Sequence, residues 1–315
     1  MNVCTRRLAP RRQVVFDARC EIPSTRLNLS QSRRAFLRGM AGNALVLPAT
    51  GVLAASAESE PACAGIRKAV KYHMIEEGFS VLDKFKLLRD LGFDGTEIHV
   101  TTEIDKREVR RAIEATGVVV HGFLNSTKPD LRYAIDMAKF YGGTSVLVVA
   151  GRVNRDNPYD EVYRQQQARI KAALPYAEEW GIRLLVENVW NNFLLSPLEM
   201  ARFIDELDSP AAGVYFDIGN VLRFGWPEQW IRILGSRIGK LDVKDYSEKL
   251  HRGGGHGLHA KIGEGDCDWA AVRQALAGIG YTSGWATAEV RGGDRRRLAE
   301  IARRMDDVLK LDDPT

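Results

Sequence analysis

Residues 240–246, KLDVKDY, place acids and a base within one short apolar segment. Leu241 and Val243 alternate with Asp242 and Lys244, so the segment reads as a β-strand whose charged pair shares one face. An edge strand with a solvated face is one explanation of this pattern. The other is a buried face that carries an ionic cluster, and the surrounding sequence has to decide between the two.

Other residues able to bind a metal or move a proton also stand at the ends of short apolar segments. They are Glu97, His99, His121, Glu187, Asn188, Asp217, Glu289 and Arg291. A lone buried carboxylate is normally a hydrogen-bonded structural residue. Several carboxylates gathered in one place repel one another unless a cation neutralises them. The chemistry therefore depends on whether the fold brings these acids together.

Short apolar segments alternate with longer amphipathic ones from residue 66 onward. The predicted strands are residues 67–75, 94–99, 117–123, 144–150, 182–188, 213–218, 237–244 and 284–290. The helical segments that we delimit are residues 80–91, 129–141, 159–180, 196–207, 227–235, 268–279 and 294–310. A strand–helix rhythm repeated eight times over about 250 residues is typical of an α/β fold of the (β/α)8 TIM-barrel type.

A doubly wound open sheet is the main alternative fold. It would usually carry a glycine-rich phosphate loop after its first strand, and residues 74–80, MIEEGFS, contain no G-x-G-x-x-G. Nothing in residues 66–312 reads as an internal linker, so we predict one barrel domain there, preceded by a linker at 58–65. The active site of a TIM barrel lies at the carboxyl ends of its strands. The acids of the last four strands should therefore converge, which favours an inward-facing KLDVKDY.

Residues 1–57 have a composition of their own. They contain nine arginines, no lysine and two acids, so the overall charge of +4 divides into +7 here and −3 in the remainder. The segment SRRAFLR at 32–38 resembles the twin-arginine export motif, and Ala-Ser-Ala at 55–57 fits an A-x-A cleavage site. A chance arginine pair in a basic tail is the alternative. We expect a leader read by the twin-arginine export machinery, and a periplasmic or otherwise exported protein.

Two classes of partner are not expected. The apolar run at 39–55 is short and interrupted by glycines and Pro48, which argues against a stable membrane span. The slightly acidic remainder of the chain is poorly suited to collecting phosphates, which argues against nucleic acid. Assembly into a homo-oligomer stays open.

From about residue 66 to 310 the sequence resembles the xylose isomerase-like TIM-barrel family of sugar phosphate isomerases and epimerases. The resemblance rests on LLVENVWNNFLLSPLE, VYFDIGNVLRFGWPEQWIRILGSRIGKLDVKDYSE, KIGEGDCDW and GYTSGWATAEV. It implies one divalent metal ion held by residues of the fifth to eighth strands. Carried over to this chain, the ligands are Glu187, Asp217, Asp242 and Glu289.

Position 242 departs from the family pattern, which usually reads H-V-K-D where this chain reads D-V-K-D. A set of two Glu and two Asp is harder and more anionic than one with an imidazole, and favours Mn²⁺ or Mg²⁺ over Zn²⁺. Two alternatives follow from the shorter Asp242. It could fail to reach the ion, which would leave weak binding, or His256 or His259 of the loop RGGGHGLHA could replace it. Surface positions are the simpler interpretation of both histidines.

A second departure concerns DNA. The superfamily that this chain resembles also has a branch of apurinic endonucleases, which use several zinc ions held by many histidines. One of those histidines lies three residues after the aspartate of the sixth strand. This chain has Asn220 at that position and only six histidines in all. A trinuclear zinc site and nuclease activity are therefore not expected.

The resemblance implies proton transfer by Glu187 and Glu289 beside a metal-polarised carbonyl, through an enediolate. Lys244 shares a strand face with Asp242 and is the third catalytic candidate. The substrate-binding candidates are Glu97, His121, Asn188, Trp190, Asn220 and Arg291. Export favours an unphosphorylated ketose as the substrate of an isomerase or epimerase. A lyase or hydrolase that cleaves 3-keto-glycosides by β-elimination, and a non-catalytic periplasmic sugar-binding barrel, are the alternatives.

Overall fold

Eight parallel strands close into a barrel in sequence order, with the last strand paired to the first. The structure is a computed structural model that describes Cys63, residues 65–126 and residues 130–311. The strands are Gly65–Lys71 (β1), Gly95–His99 (β2), Val119–Ser126 (β3), Ser145–Val148 (β4), Arg183–Glu187 (β5), Ala212–Asp217 (β6), Ile238–Val243 (β7) and Ser283–Ala288 (β8). The predicted single-domain TIM barrel is confirmed.

Helices alternate with the strands and surround the barrel. They are Val81–Asp90 (α1), Lys106–Thr116 (α2), Leu131–Tyr141 (α3), Tyr159–Trp180 (α4), Pro197–Asp205 (α5), Ile218–Val221 (α6), Pro227–Leu234 (α7), Glu248–Arg252 (α8), Trp269–Gly278 (α9) and Arg295–Leu309 (α10). Short 3-10 turns lie at Tyr72–Met74, Gly235–Arg237 and Gly257–His259.

Two differences from the sequence-based prediction lie in the first part of the barrel. The first strand ends at Lys71, because Tyr72–Met74 turns over the mouth of the barrel as a 3-10 helix. Helix α2 fills the interval between the second and third strands, where we delimited no helix. Its sequence is mostly charged and buries only Val109 and Ala112, so it has a narrow apolar face that is easily overlooked.

Local sequence signals explain where several helices begin. The hydroxyl of Ser196 accepts a hydrogen bond from the backbone N–H of Glu199, and Pro197 occupies the first turn of α5. Ser80 caps α1 in the same manner, by accepting from the N–H of Asp83. These caps fix the helices that return the chain to the amino end of each next strand.

The main hydrophobic core lies between the strands and the helices, as in other barrels of this type. The interior of the barrel is different, because its small apolar cluster of Leu147, Leu185 and Tyr215 is accompanied by many buried polar side chains. These include Lys71, Glu97, His121, Lys240, Asp242 and Thr287. Buried charges persist only where they are paired, so this interior has to contain ionic contacts.

The leader predicted at 1–57 and most of the linker predicted at 58–65 lie outside the described residues. Within the described part, no helix is both long enough and apolar enough to cross a bilayer.

Candidate active site

Four carboxylates meet at the carboxyl ends of the last four strands. One oxygen from each of Glu187, Asp217, Asp242 and Glu289 can be chosen so that all four lie within 4.8 Å of one another. Glu187 and Asp217 end β5 and β6, Asp242 lies within β7, and Glu289 directly follows β8. The family resemblance implied these four acids as metal ligands, and the fold brings them together at the mouth of the barrel.

The charged face of KLDVKDY points into the barrel. Asp242 is fully buried, and only 8% of Lys244 is exposed. The parallel register places Asp242 beside Asp217 on one side and beside Thr287 on the other. A solvated edge strand is thereby excluded as the explanation of this segment.

Lys244 lies between two of the carboxylates. Its Nζ is 2.6 Å from Oδ2 of Asp217 and 2.5 Å from Oε2 of Glu289. Burial by itself would favour the neutral amine, but Asp217 and Glu289 raise the pKa of Lys244 above its usual value. Lys244 is therefore an ammonium ion that joins the sixth strand to the eighth through their acids.

A second buried lysine lies beneath Asp242 and was missed at the level of the sequence. Nζ of Lys71 is 2.8 Å from Oδ1 of Asp242 and 2.8 Å from Oε2 of Glu97, and none of the three side chains is exposed. Burial opposes the charge, yet Asp242 and Glu97 raise the pKa of Lys71 well above its usual value. Its position at the end of the first strand could have indicated Lys71 as a site residue, since the active sites of TIM barrels lie at the carboxyl ends of the strands.

The four carboxylates do not share one electrostatic environment. Burial, followed by repulsion from Glu289, raises the pKa of Glu187 well above its usual range. Burial also raises the pKa of Asp217 to about 6 and that of Asp242 well above normal, although lysines oppose both shifts. For Glu289 burial is outweighed by the ammonium groups of Lys244 and Lys71, which lower its pKa to about 2.

This donor set fits a divalent cation. The four clustered acids and Glu97 make five carboxylates, against the two ammonium groups of Lys71 and Lys244. Full ionisation would leave a negative excess in a buried space, which raises the pKa of acids unless a cation compensates. Carboxylate oxygens are the donors preferred by hard ions such as Mg²⁺ and Mn²⁺. The described residues could therefore hold a divalent ion.

Asn188 and Asn220, predicted to bind substrate, hold the Asp217 segment in place. Asn188 donates its amide N–H to the carbonyl of Asp217 at 2.8 Å and accepts from the backbone N–H of Asp217 at 2.8 Å. Asn220 donates its amide to the carbonyl of Asn188 at 2.9 Å, and its backbone N–H donates to Oδ1 of Asp217 at 2.9 Å. The structure thus gives both asparagines a positioning role beside the carboxylates.

Glu97 and His121 lie inside the barrel. Glu97 is paired with Lys71, as described above. Nδ1 of His121 is 2.9 Å from Nζ of Lys240, and its Nε2 is 3.2 Å from the hydroxyl of Thr287. Burial, followed by the charge of Lys240, lowers the pKa of His121 well below its usual value, so the ring is neutral. Both ring nitrogens are engaged with protein groups.

Trp190 is the centre of an aromatic cluster at one side of the mouth. Its indole N–H donates to the carbonyl of Asn220 at 2.8 Å, and its ring lies 5.9 Å from that of Phe224. The ring of His256 stacks against Trp190 with the centroids 5.9 Å apart. Within the described residues, the group that could hold a metal comprises the four carboxylates and neither loop histidine.

Arg291 and His259 belong to another part of the surface. Both line a cavity of about 340 Å³ together with Lys261 and Glu300, and the carboxylates at the mouth are not among its lining residues.

His73, in the turn after β1, is a site candidate that the sequence did not single out. Burial, partly offset by Glu289, lowers the pKa of His73, and Lys71 lowers it further. The sequence signal for this candidate is an imidazole in the loop that follows the first strand.

Asp245 anchors the loop that precedes α9. It is fully buried and accepts hydrogen bonds from the backbone N–H groups of Gly263, Gly265 and Cys267 and from the indole of Trp269. A carboxylate that accepts this many hydrogen bonds ties the donating backbone groups of the loop to one place. Asp245 therefore serves loop structure, whereas Asp242 and Lys244 serve the carboxylate group.

We predict that Lys71→Met destabilises the protein strongly. The substitution leaves Asp242 and Glu97 buried without their shared counter-ion, and breaking a buried pair in this way costs about 3–5 kcal/mol. Differential scanning calorimetry of the metal-free protein measures the loss. Lys68→Met is the matched control, since Lys68 lies on the same strand and pairs at 2.6 Å with a partly exposed Asp306. Equal melting temperatures for Lys71→Met and the unmodified protein would contradict the prediction.

Comparisons with known proteins give the chain a family. Residues 85–310 match the model of the xylose isomerase-like TIM barrel. Among curated proteins, the protein MJ1311 of Methanocaldococcus jannaschii is 27% identical over 158 residues, which are 48% of this chain and 52% of that protein. The 3-oxo-isoapionate decarboxylase of Pectobacterium atrosepticum is 28% identical over 112 residues, 35% of this chain and 40% of that enzyme. The matched segments thus span about half the length of these curated relatives.

Solved structures resemble the barrel at low sequence identity. The 3-keto-D-glucoside 4-epimerase of E. coli has a TM-score of 0.64 at 16% identity, covering 78% of this chain and 99% of that one. The D-allulose 3-epimerase of Methylomonas sp. has a TM-score of 0.61 at 19% identity, with 77% and 96% covered. A probable 3-DHS dehydratase of Bacillus anthracis has a TM-score of 0.64 at 14% identity, with 76% and 98% covered. At these identities the likeness shows a shared fold. The family model matches most of the barrel, and the structure is a closed eight-stranded fold with acids at the ends of its last four strands. The chain therefore belongs to the xylose isomerase-like TIM-barrel family.

Proposed function

We propose that the protein is a divalent-metal-dependent sugar isomerase or epimerase that moves a proton next to a carbonyl group. The observation that carries the proposal is the meeting of Glu187 and Glu289, from strands β5 and β8, in one group of four carboxylates. Strands five and eight lie about three-eighths of a turn apart around the barrel, so the two acids can approach a sugar from different sides. An acid on each side of one carbon is what epimerisation requires.

A divalent cation held by Glu187, Asp217, Asp242 and Glu289 would polarise the substrate carbonyl and make the neighbouring C–H more acidic. One glutamate removes that proton, which gives an enediolate. The other glutamate returns a proton, to the opposite face in an epimerisation or to the adjacent carbon in an isomerisation. Lys244, whose Nζ contacts Glu289 at 2.5 Å, orients this carboxylate and presents an ammonium group to a substrate oxygen.

The names of structurally similar proteins support this class of chemistry. Two of them are described as a 3-keto-D-glucoside 4-epimerase and a D-allulose 3-epimerase. Another is described as a probable 3-DHS dehydratase, and a curated relative as a decarboxylase, so lyase chemistry occurs on similar chains. Cleavage of 3-keto-glycosides by β-elimination begins with the same proton removal and is the second candidate. Analysis of the products separates the two reactions, and a binding protein without catalysis would give neither product.

We further propose that the protein is exported and meets sugars outside the cytoplasm. The support is the SRRAFLR segment followed by Ala-Ser-Ala in residues 1–57. Phosphorylated metabolites are scarce in the periplasm, so an unphosphorylated ketose or keto-glycoside is the better substrate candidate, and Mn²⁺ or Mg²⁺ the better cofactor for an all-carboxylate site.

The export proposal predicts that Arg33→Lys with Arg34→Lys keeps the precursor in the cytoplasm. The export receptor reads a pair of guanidinium groups, which lysine does not reproduce. Fractionation of cells that express the full chain measures the location. Replacing Arg11 and Arg12 by lysine is the matched control, since this pair lies in the same basic segment outside the motif. Normal accumulation of the Arg33/Arg34 variant in the periplasm would contradict the proposal.

The metal proposal predicts that Asp242→Ala weakens Mn²⁺ binding by at least about tenfold. The variant loses one oxygen donor, while Lys71 keeps its contact with Glu97. Isothermal titration calorimetry with Mn²⁺ measures the affinity. Asp205→Ala, which removes an exposed partner of Arg237, is the control and should bind Mn²⁺ normally. Unchanged affinity in Asp242→Ala would remove this residue from the set of ligands.

The catalytic proposal predicts that Glu187→Gln and Glu289→Gln each lower activity by about 10²–10⁴-fold. Glutamine keeps one oxygen for the cation but cannot accept the proton, so metal loss should be only partial. A screen of ketoses and 3-keto-glycosides in heavy water, read by mass spectrometry, measures turnover and deuterium incorporation. Glu199→Gln on α5 is the control, because its partner is the hydroxyl of Tyr159. Normal turnover by both variants, or turnover by the unmodified protein without metal, would overturn the mechanism.

A further inference from the structure

The ammonium group of Lys244 lies between two of the four clustered carboxylates. Its Nζ is 2.6 Å from Oδ2 of Asp217 and 2.5 Å from Oε2 of Glu289, which are close contacts between opposite charges. The same two acids belong to the group whose oxygens could hold one metal ion. An ion bound by the whole group and the ammonium group of Lys244 therefore require the same carboxylates.

Asp217 has one carboxylate oxygen that is not committed to the backbone. Its Oδ1 accepts a hydrogen bond from the backbone N–H of Asn220 at 2.9 Å. Its Oδ2 is buried and makes no hydrogen bond of good geometry with the residues that the structure describes, although Nζ of Lys244 is only 2.6 Å away. A buried oxygen in this state suits a cation, since attraction between charges needs no aligned hydrogen. The oxygen open to an ion is thus the one that Lys244 contacts.

The two contacts of Lys244 lie at different depths. The side chain of Asp217 is fully buried, whereas that of Glu289 is 27% exposed, so the second contact lies nearer to the opening of the barrel. Lys244 directly follows the last residue of β7, and its four-carbon stem is flexible. Its ammonium group can therefore leave Asp217 and stay beside Glu289 without any movement of the strands.

We propose that Lys244 occupies the cation position at Asp217 in the metal-free protein, and that a divalent ion displaces its ammonium group from Oδ2 of Asp217. The inference rests on the metal dependence in the proposed function and adds the exchange of one cation for another. Before the exchange, the ammonium group offsets the repulsion between Asp217 and Glu289. After it, Nζ lies beside Glu289 at the opening, where it can contact a substrate oxygen.

Isothermal titration calorimetry with Mn²⁺ gives the first test. Lys244→Met should bind Mn²⁺ at least about tenfold more tightly than the unmodified protein, because the ion no longer competes with an ammonium group. Simple damage to the site would lower the affinity instead. Lys244→Gln, which keeps a polar side chain, should show the same direction and serves if the methionine variant does not fold. Lys261→Met is the matched control, since it removes an exposed lysine that pairs with Glu300, and it should bind Mn²⁺ normally.

Labelling of lysines in the unmodified full-length protein gives the second test. Acetylation by an N-hydroxysuccinimide ester, read for each peptide by mass spectrometry, is measured with and without Mn²⁺. Lys244 should react severalfold faster when Mn²⁺ is bound, because its amine is then released from the buried carboxylate. Lys249, which is exposed on α8, is the internal control and should react equally in both samples.

Several outcomes would overturn the inference. Equal or weaker Mn²⁺ binding by both Lys244 variants would do so, and so would a labelling rate of Lys244 that Mn²⁺ leaves unchanged or lowers. Tighter binding with unchanged labelling would mean that the ion binds beside the ammonium group without displacing it. If the unmodified protein and both variants bind no Mn²⁺, the metal dependence in the proposed function fails as well. Tighter binding and faster labelling without turnover of any sugar would count against the proposed reaction alone.

Discussion

The excess of negative charge at the mouth of the barrel is the constraint on which the rest of the site depends. Four acids whose oxygens lie within 4.8 Å of one another cannot all stay ionised in a buried space without cations. The fold supplies two: Lys244 between Asp217 and Glu289, and Lys71 beneath Asp242. Because these ammonium groups stand closest to different acids, they leave Glu289 easily ionised and Glu187 strongly inclined to keep a proton. A divalent ion is the natural complement to what remains.

Lys71 also gives a physical context for the aspartate at position 242. The ion pair fixes the short side chain at the floor of the site, in contact with an ammonium group that Glu97 shares. Charged contacts continue into the barrel, where Lys240 lies against His121 and burial lowers the pKa of Lys240 to about 7. The interior of this barrel is thus held by paired polar groups, which are costly to disturb singly because each removal strands a buried partner.

The mouth of the barrel is divided between a charged and an apolar part, and the same two asparagines support both. Asn188 and Asn220 fix the strand-six aspartate by hydrogen bonds, and they also line an apolar cavity of about 310 Å³ between the loop after β5 and helices α6 and α7. The position of Asp217 and part of the cavity wall therefore depend on the same two asparagines.

The fold and the grouping of the four acids follow from the sequence, because strand and helix periodicity repeats along the chain and parallel strands of a barrel all end at one mouth. Asp242 and Lys244 could be placed on one strand face from their spacing alone. Which cations meet which acids depends instead on contacts between strands that are distant in sequence. Lys71 is separated from Asp242 by most of the barrel in sequence, so their 2.8 Å contact exists only because β8 closes against β1. Closure likewise brought Lys240 of β7 against His121 of β3. Packing of the loops after β5 and β6 created an apolar cavity whose lining residues follow no periodic pattern in the sequence.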